Sequence, residues 1–214
     1  MELLKLAFEY ILHIDRHLGV VVQDYGLLAY GVLFLIIFLE TGLVVTPFLP
    51  GDSLLFAAGA LAATTSLDPV WLFLLLTAAA ILGDTANYWA GYKIGGRVFE
   101  KDRPLINEEY LKRTQGFYEK HGKKTIILAR FVPIIRTFAP FIAGVGKMEY
   151  KTFLSYNIIG GIAWIGLFIF GGYFFGNIPI IKDNFGLVVI AIIMISVVPA
   201  VIELWKHHGR SKID

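Results

Sequence analysis

Residues 46–66 read TPFLPGDSLLFAAGALAATTS and residues 125–146 read TIILARFVPIIRTFAPFIAGVG. Both stretches are apolar enough for a membrane, yet neither suits one straight helix. Pro47, Pro50 and Gly51 interrupt the first; Pro133, Pro140, Gly144 and Gly146 interrupt the second, which also carries Arg130 and Arg136. Proline removes a backbone donor and clashes with the preceding turn, so a chain entering the membrane here is expected to break and turn back. Irregular backbone at membrane depth is tolerated only where it is buried in protein or lines a wet cavity. Two re-entrant helical hairpins around such a cavity are therefore expected.

The rest of the chain agrees with a membrane setting. Of its 214 residues, 57% are hydrophobic and 17% charged, and the mean hydropathy is +0.68. Soluble domains carry about 45–50% apolar and ~25% charged residues. Segments 27–45, 70–91, 153–175 and 185–204 are each long enough to cross a hydrocarbon core of ~30 Å. The expected fold is an all-α polytopic membrane protein with about four transmembrane helices, two oppositely oriented re-entrant hairpins and amphipathic surface helices. One membrane domain then covers 27–205.

Outside it, residues 1–26 place Leu3, Leu4, Leu6, Ala7, Tyr10, Ile11, Ile14 and Leu18 at helical spacing among Glu9, His13, Asp15, Arg16 and His17. That pattern predicts an interfacial amphipathic helix. It lacks the basic start and small-residue cleavage site of a secretory signal, so retention in the mature protein is expected. The loop 92–124 predicts a second surface helix around Tyr110, Leu111, Phe117 and Tyr118, and 206–214 is a basic tail.

With four spans and two hairpins, one side receives Lys93, Arg97, Lys101, Arg103, Lys112, Arg113, Lys120, Lys123, Lys124, Lys147, Lys151, Lys206, Arg210 and Lys212, and the other only Lys182. The positive-inside rule makes the richer side cytoplasmic, together with both termini. The hairpins then enter from opposite sides, and their sequences echo each other: Phe48-Leu49-Pro50 against Phe131-Val132-Pro133, and Ala58-Gly59 against Ala143-Gly144. Transporters place substrate sites between such inverted broken segments, where half-helix ends and freed backbone groups meet.

Several charges fall within apolar sequence: Glu40 in FLETG, Asp52 in PGDS, and Arg130 and Arg136 in ARFVPIIRT. Each costs roughly 2.5–3.5 kcal/mol at the bilayer centre unless compensated. The plain reading is an internal network that ties the hairpins together. The functional reading uses arginine's planar fork, which binds a phosphate through parallel hydrogen bonds, so Arg130 and Arg136 are the expected clamps for an anionic headgroup. A carboxylate beside such a guanidinium changes its protonation with the occupancy of the arginine, making Glu40 and Asp52 the expected proton carriers. Asp84, with Asn87 and Tyr88 one turn on, is a secondary candidate that also suits helix packing along Ala79, Gly83, Ala86 and Ala90. Asn157, beside Tyr156, has the same two readings. Trp71, Trp89, Trp164 and Trp205 read as interface anchors or packing aromatics.

Other chemistry is poorly served. The chain has no cysteine, and its net charge of +2 is spread over loops rather than gathered in a stripe for nucleic acid. No GxxxxGK[ST] phosphate loop is present, His13 and His17 lack companion ligands, and His121 lacks a base partner. No cofactor, metal or enzymatic reaction is expected.

The chain resembles the DedA family of bacterial inner-membrane proteins, also grouped as VTT or SNARE-associated membrane proteins. The likeness is densest in FLETGLVVTPFLPGDSLLFAAGALA at 38–62, FYEKHGKKTIILARFVPIIRTFAPFIAGVGKM at 117–148 and YNIIGGIAWIGLFIFGGYFFG at 156–176. The resemblance implies movement of undecaprenyl phosphate or phosphatidylethanolamine between leaflets of the cytoplasmic membrane, coupled to the proton gradient. It assigns the functional acids to Glu40 and Asp52 and the paired arginines to Arg130 and Arg136. A small-ion or drug–proton antiporter remains an alternative, with sodium in place of protons another, and so does a non-transporting assembly factor. The Gly172 and Gly176 spacing allows a homo-oligomer.

Overall fold

A computed structural model describes residues 26–43, 51–94, 118–184 and isolated positions at 114, 116 and between 187 and 194. The expected interfacial helix before residue 26, Pro47 and Pro50, most of the 92–124 loop, most of the 185–204 span and the tail lie outside these residues. Among the described residues every regular element is helical: α1 (Leu27–Gly42), α2 (Gly51–Ala62), α3 (Pro69–Ile94), α4 (Thr125–Ala129), α5 (Pro133–Val145), α6 (Tyr150–Phe175) and α7 (Pro179–Asp183).

Helices α3 and α6, at 26 residues each, are long and apolar enough to cross a membrane. Both are apolar on their outer faces as well as their inner ones. In α3 the buried stripe is Leu72, Leu76, Ala79, Ala80, Asp84, Asn87 and Tyr88, while Trp71, Leu74, Leu82 and Trp89 are exposed. In α6 it is Phe153, Asn157, Trp164, Ile165 and Ile169, with Ile159, Ile162 and Leu167 exposed. Such apolar surface has no place in water but suits lipid. The polar residues sit inside, opposite to the order of a soluble helix.

The described residues form two compact units. One draws on the described residues within 26–32, 51–73 and 166–194, the other on those within 33–43 and 74–165. In the first, α2 lies against the C-terminal half of α6 closely enough that a Cβ on Gly59 would strike the Ile169 carbonyl and one on Gly172 the Phe56 carbonyl. The Asn177 side-chain amide donates to the Ala60 carbonyl at 2.8 Å. Asp68 caps α3 by accepting from the Val70 and Trp71 amides at 2.7 and 2.9 Å.

In the second unit the 125–146 stretch is broken as its prolines require. Val132, before Pro133, is extended at φ −124° and ψ 103°, and Pro133 opens α5. The limbs α4 and α5 pack through Ala129 against Ile135 and Ala139. Helix α5 ends in a Schellman motif, in which Met148 N–H donates to the Ala143 carbonyl and Lys147 N–H to the Gly144 carbonyl, each at 2.9 Å. Lys147 takes the left-handed position, φ 50°, that glycine usually fills. A second reciprocal glycine contact joins α5 to α3: a Cβ on Gly144 would strike the Tyr88 carbonyl and one on Gly91 the Phe141 carbonyl. Each unit thus uses a phenylalanine and a glycine three residues apart on its short helix, Phe56 and Gly59 or Phe141 and Gly144.

Candidate functional site

Glu40, Asp84, Arg130, Arg136, Asn87 and Asn157 all belong to the second unit and all are buried. The break in the second apolar stretch positions the arginines: Arg130 follows α4, and Arg136 lies in the first turn of α5. Glu40 arrives from the end of α1, Asp84 from the middle of α3 and Asn157 from the first half of α6.

Arg136 Nη2 donates to Glu40 Oε1. Arg130 Nη2 donates to Asp84 Oδ2 at 2.5 Å and to Asn157 Oδ1 at 2.5 Å. The result is two guanidinium–carboxylate bridges in low dielectric, where neither charge is tolerated alone. Arg130 Nε and Nη1 and Asp84 Oδ1 are buried without a hydrogen-bond partner among the described residues. Donors and an acceptor are thus left available around the pair.

The two asparagines hold the helices that carry these charges. Asn87 Nδ2 donates to the Thr41 carbonyl at 3.2 Å and the Thr137 carbonyl at 2.8 Å, linking α1, α3 and α5. Asn157 Nδ2 donates to the Ile81 carbonyl at 3.1 Å, linking α6 to α3. Gly83 gives α1 its close approach, since a Cβ there would strike the Thr41 hydroxyl. Beyond the bridges, the partly buried Tyr118 hydroxyl donates to the Ala139 carbonyl at 2.9 Å. Burial raises the Tyr118 pKa above its ordinary 10.0, with the Asp84 carboxylate adding to the shift.

Asp52 stands half-buried in the first turn of α2, in the other unit, where the helix dipole favours a carboxylate. Glu40, named from the sequence as a proton carrier, bridges to Arg136, and Asp84, named as a secondary candidate, bridges to Arg130. The sequence read Trp164 as an interface anchor or packing aromatic, without a link to the arginines. Trp164 is wholly buried, with the Arg136 guanidinium 4.8 Å and the Arg130 guanidinium 5.7 Å from its ring centroid. The signal was in reach: Asn157, Gly160, Gly161 and Trp164 follow i, i+3, i+4, i+7 spacing along one helix face.

Comparison with known proteins sets this site in a family. The VTT domain model matches residues 49–174. Protein DedA of Escherichia coli is 52% identical over 210 residues, 97% of this chain and 96% of that protein. An uncharacterized membrane protein of Mycobacterium tuberculosis is 44% identical over 80% of this chain and 76% of its own length. The inner membrane protein YqjA of Escherichia coli is 31% identical over 83% of this chain and 84% of that protein. No solved structure matches. A chain of apolar-faced helices, matched over most of its length by membrane proteins and over more than half by this domain, belongs to the DedA family of VTT-domain membrane proteins.

Proposed function

We propose that the protein moves lipids with phosphate headgroups, undecaprenyl phosphate or phosphatidylethanolamine, between the leaflets of the bacterial cytoplasmic membrane, coupled to the proton gradient. The observation that carries this reading is the pair of buried, carboxylate-bridged arginines, Arg130 and Arg136, on the broken 125–146 stretch. A phosphate oxygen can take the place of a carboxylate on either guanidinium, because both present the same planar pair of acceptors. The displaced carboxylate, Glu40 or Asp84, is then a buried anion without its partner and takes up a proton from the aqueous phase. Release of the lipid returns the proton and re-forms the bridge. Asp52, in the first turn of α2, is a further proton carrier on this reading.

Both termini face the cytoplasm in this proposal, as the distribution of Lys and Arg favours. The stretches around α2 and α4–α5 act as re-entrant hairpins. At 12 residues, α2 is about 18 Å long at 1.5 Å per residue, short of a ~30 Å core.

The test uses purified protein in liposomes, following transfer of labelled undecaprenyl phosphate and phosphatidylethanolamine with and without a pH gradient. Wild type is expected to move at least one lipid, whereas Glu40→Gln and Arg136→Ala, checked for equal folding, are not. A wild type no faster than empty vesicles overturns the proposal. In that case the carboxylate bridge on each arginine favours a structural network, and the chain is an assembly factor.

A further inference from the structure

The two arginines raise a physical problem that their carboxylates do not solve. Two buried guanidiniums close enough to share one ring repel each other, and Arg130 leaves Nε and Nη1 outside its bridge. Helix α6 supplies further contacts along a single face. Asn157 Oδ1 accepts from Arg130 Nη2. One turn on, Gly160 leaves room for the stem, since a Cβ there would lie 3.1 Å from Arg130 Cδ and Nε. One turn further, Trp164 offers its ring to both guanidiniums. An indole face carries negative electrostatic potential and attracts cations most strongly where water is excluded, as it is at this wholly buried side chain.

We infer that Trp164 is a positioning residue for lipid binding: its ring holds the Arg130 and Arg136 guanidiniums together as one acceptor-ready pair when a headgroup displaces their carboxylates. The inference rests on the proposed lipid-binding function. The carboxylates cannot serve in this way, because each must leave its arginine during the exchange. The ring carries no net charge and does not compete with phosphate, so it stays in place throughout the cycle. Gly160 acts with it by allowing Arg130 to lie along α6.

The test replaces Trp71, Trp89 and Trp205 by phenylalanine, leaving Trp164 as the only tryptophan, and incorporates 5-fluoro-, 5,7-difluoro- and 4,5,6,7-tetrafluorotryptophan. Fluorination drains the face of the ring stepwise while nearly preserving its size. Labelled undecaprenyl phosphate and phosphatidylethanolamine are followed in liposomes as before. The lipid fraction giving half-maximal transfer is expected to rise with each step, reaching about tenfold for the tetrafluoro ring, with the maximal rate changing less. In the same protein without labelled lipid, Arg130→Met and Arg136→Met should each shift the Trp164 emission. Half-saturation unchanged across the fluorinated series, or emission insensitive to both arginine substitutions, overturns the inference and leaves the function standing. A wild type that moves neither lipid overturns the function and the inference together. Trp164→Leu gives a larger loss, and the fluorinated series decides the matter if that variant fails to fold.

Discussion

Arg136 donates to Glu40 across a sequence separation of 96 residues, joining the first turn of α5 to the end of α1 inside a buried site. Removing one partner strands the other as a buried charge. Arg136→Met is expected to destabilise the protein by about 3–5 kcal/mol, whereas the double variant Glu40→Leu/Arg136→Met stays within about 1 kcal/mol of wild type. Unfolding in detergent micelles gives the cycle, and additive losses would refute the coupling. The double variant folds but is expected to move no lipid, which separates the structural contribution of the bridge from transport.

Arg130 engages Asp84 and Asn157 through the same nitrogen, Nη2, and leaves two further donor nitrogens around the pair. Lysine keeps the charge but loses the fork. Arg130→Lys is expected to lower lipid transfer at least about tenfold, on the order of the 1.4 kcal/mol lost with a charge-assisted hydrogen bond, while the chain still folds. Transfer assays beside thermal unfolding check this, and a variant with unaltered transfer would exclude bidentate recognition at this position.

The reciprocal glycine contacts should be intolerant of a single methyl group. Gly59→Ala and Gly144→Ala each push a Cβ into a facing carbonyl, and a loss of about 1–3 kcal/mol is expected. Gly31, inside α1, has nothing within 4 Å of its would-be Cβ. Gly31→Ala should therefore be neutral or stabilise by about 0.5–1 kcal/mol through helix propensity. Parallel melting curves for the three variants test the contrast.

Lys147 holds a left-handed conformation at the end of α5. Lys147→Gly relieves that backbone preference and is expected to raise stability by about 1 kcal/mol, less whatever glycine adds to the freedom of the unfolded chain. A fall in melting temperature would mean that the lysine side chain contributes more than its backbone loses.

Tyr118 gives a pH signature. Its folded-state pKa is raised above the ordinary 10.0 by burial, so folding favours the protonated hydroxyl. The associated stability is complete below about pH 10 and is lost as pH rises from there towards the folded value. Wild type should lose stability above pH 10 faster than Tyr118→Phe, which at neutral pH costs about 1 kcal/mol for the missing bond to Ala139. Coincident alkaline profiles would contradict this.

The residues legible in the sequence were those whose behaviour is local. Pro133 breaks the 125–146 stretch wherever it sits, because its ring excludes the preceding residue from helical geometry, and the observed break falls between Ala129 and Pro133. The Ala58-Gly59 and Ala143-Gly144 echo marked two positions that each take a close helix approach. Asp84 and Trp164 were less legible, since a buried acid and a buried indole fit either packing or a site until their neighbours are known.

The sequence by itself determined a membrane class, helices apolar on both faces, and charges that had to find partners, because composition and proline position act over a few residues. The partners were decided by tertiary structure. Arg130 is 46 residues from Asp84 and 27 from Asn157. Nothing in a helical period selects Asp84 over Asp52 for Arg130 until α3 and α6 are packed beside α4. Electrostatic attraction in low dielectric then favours the nearest acid, and packing alone decides which acid is nearest.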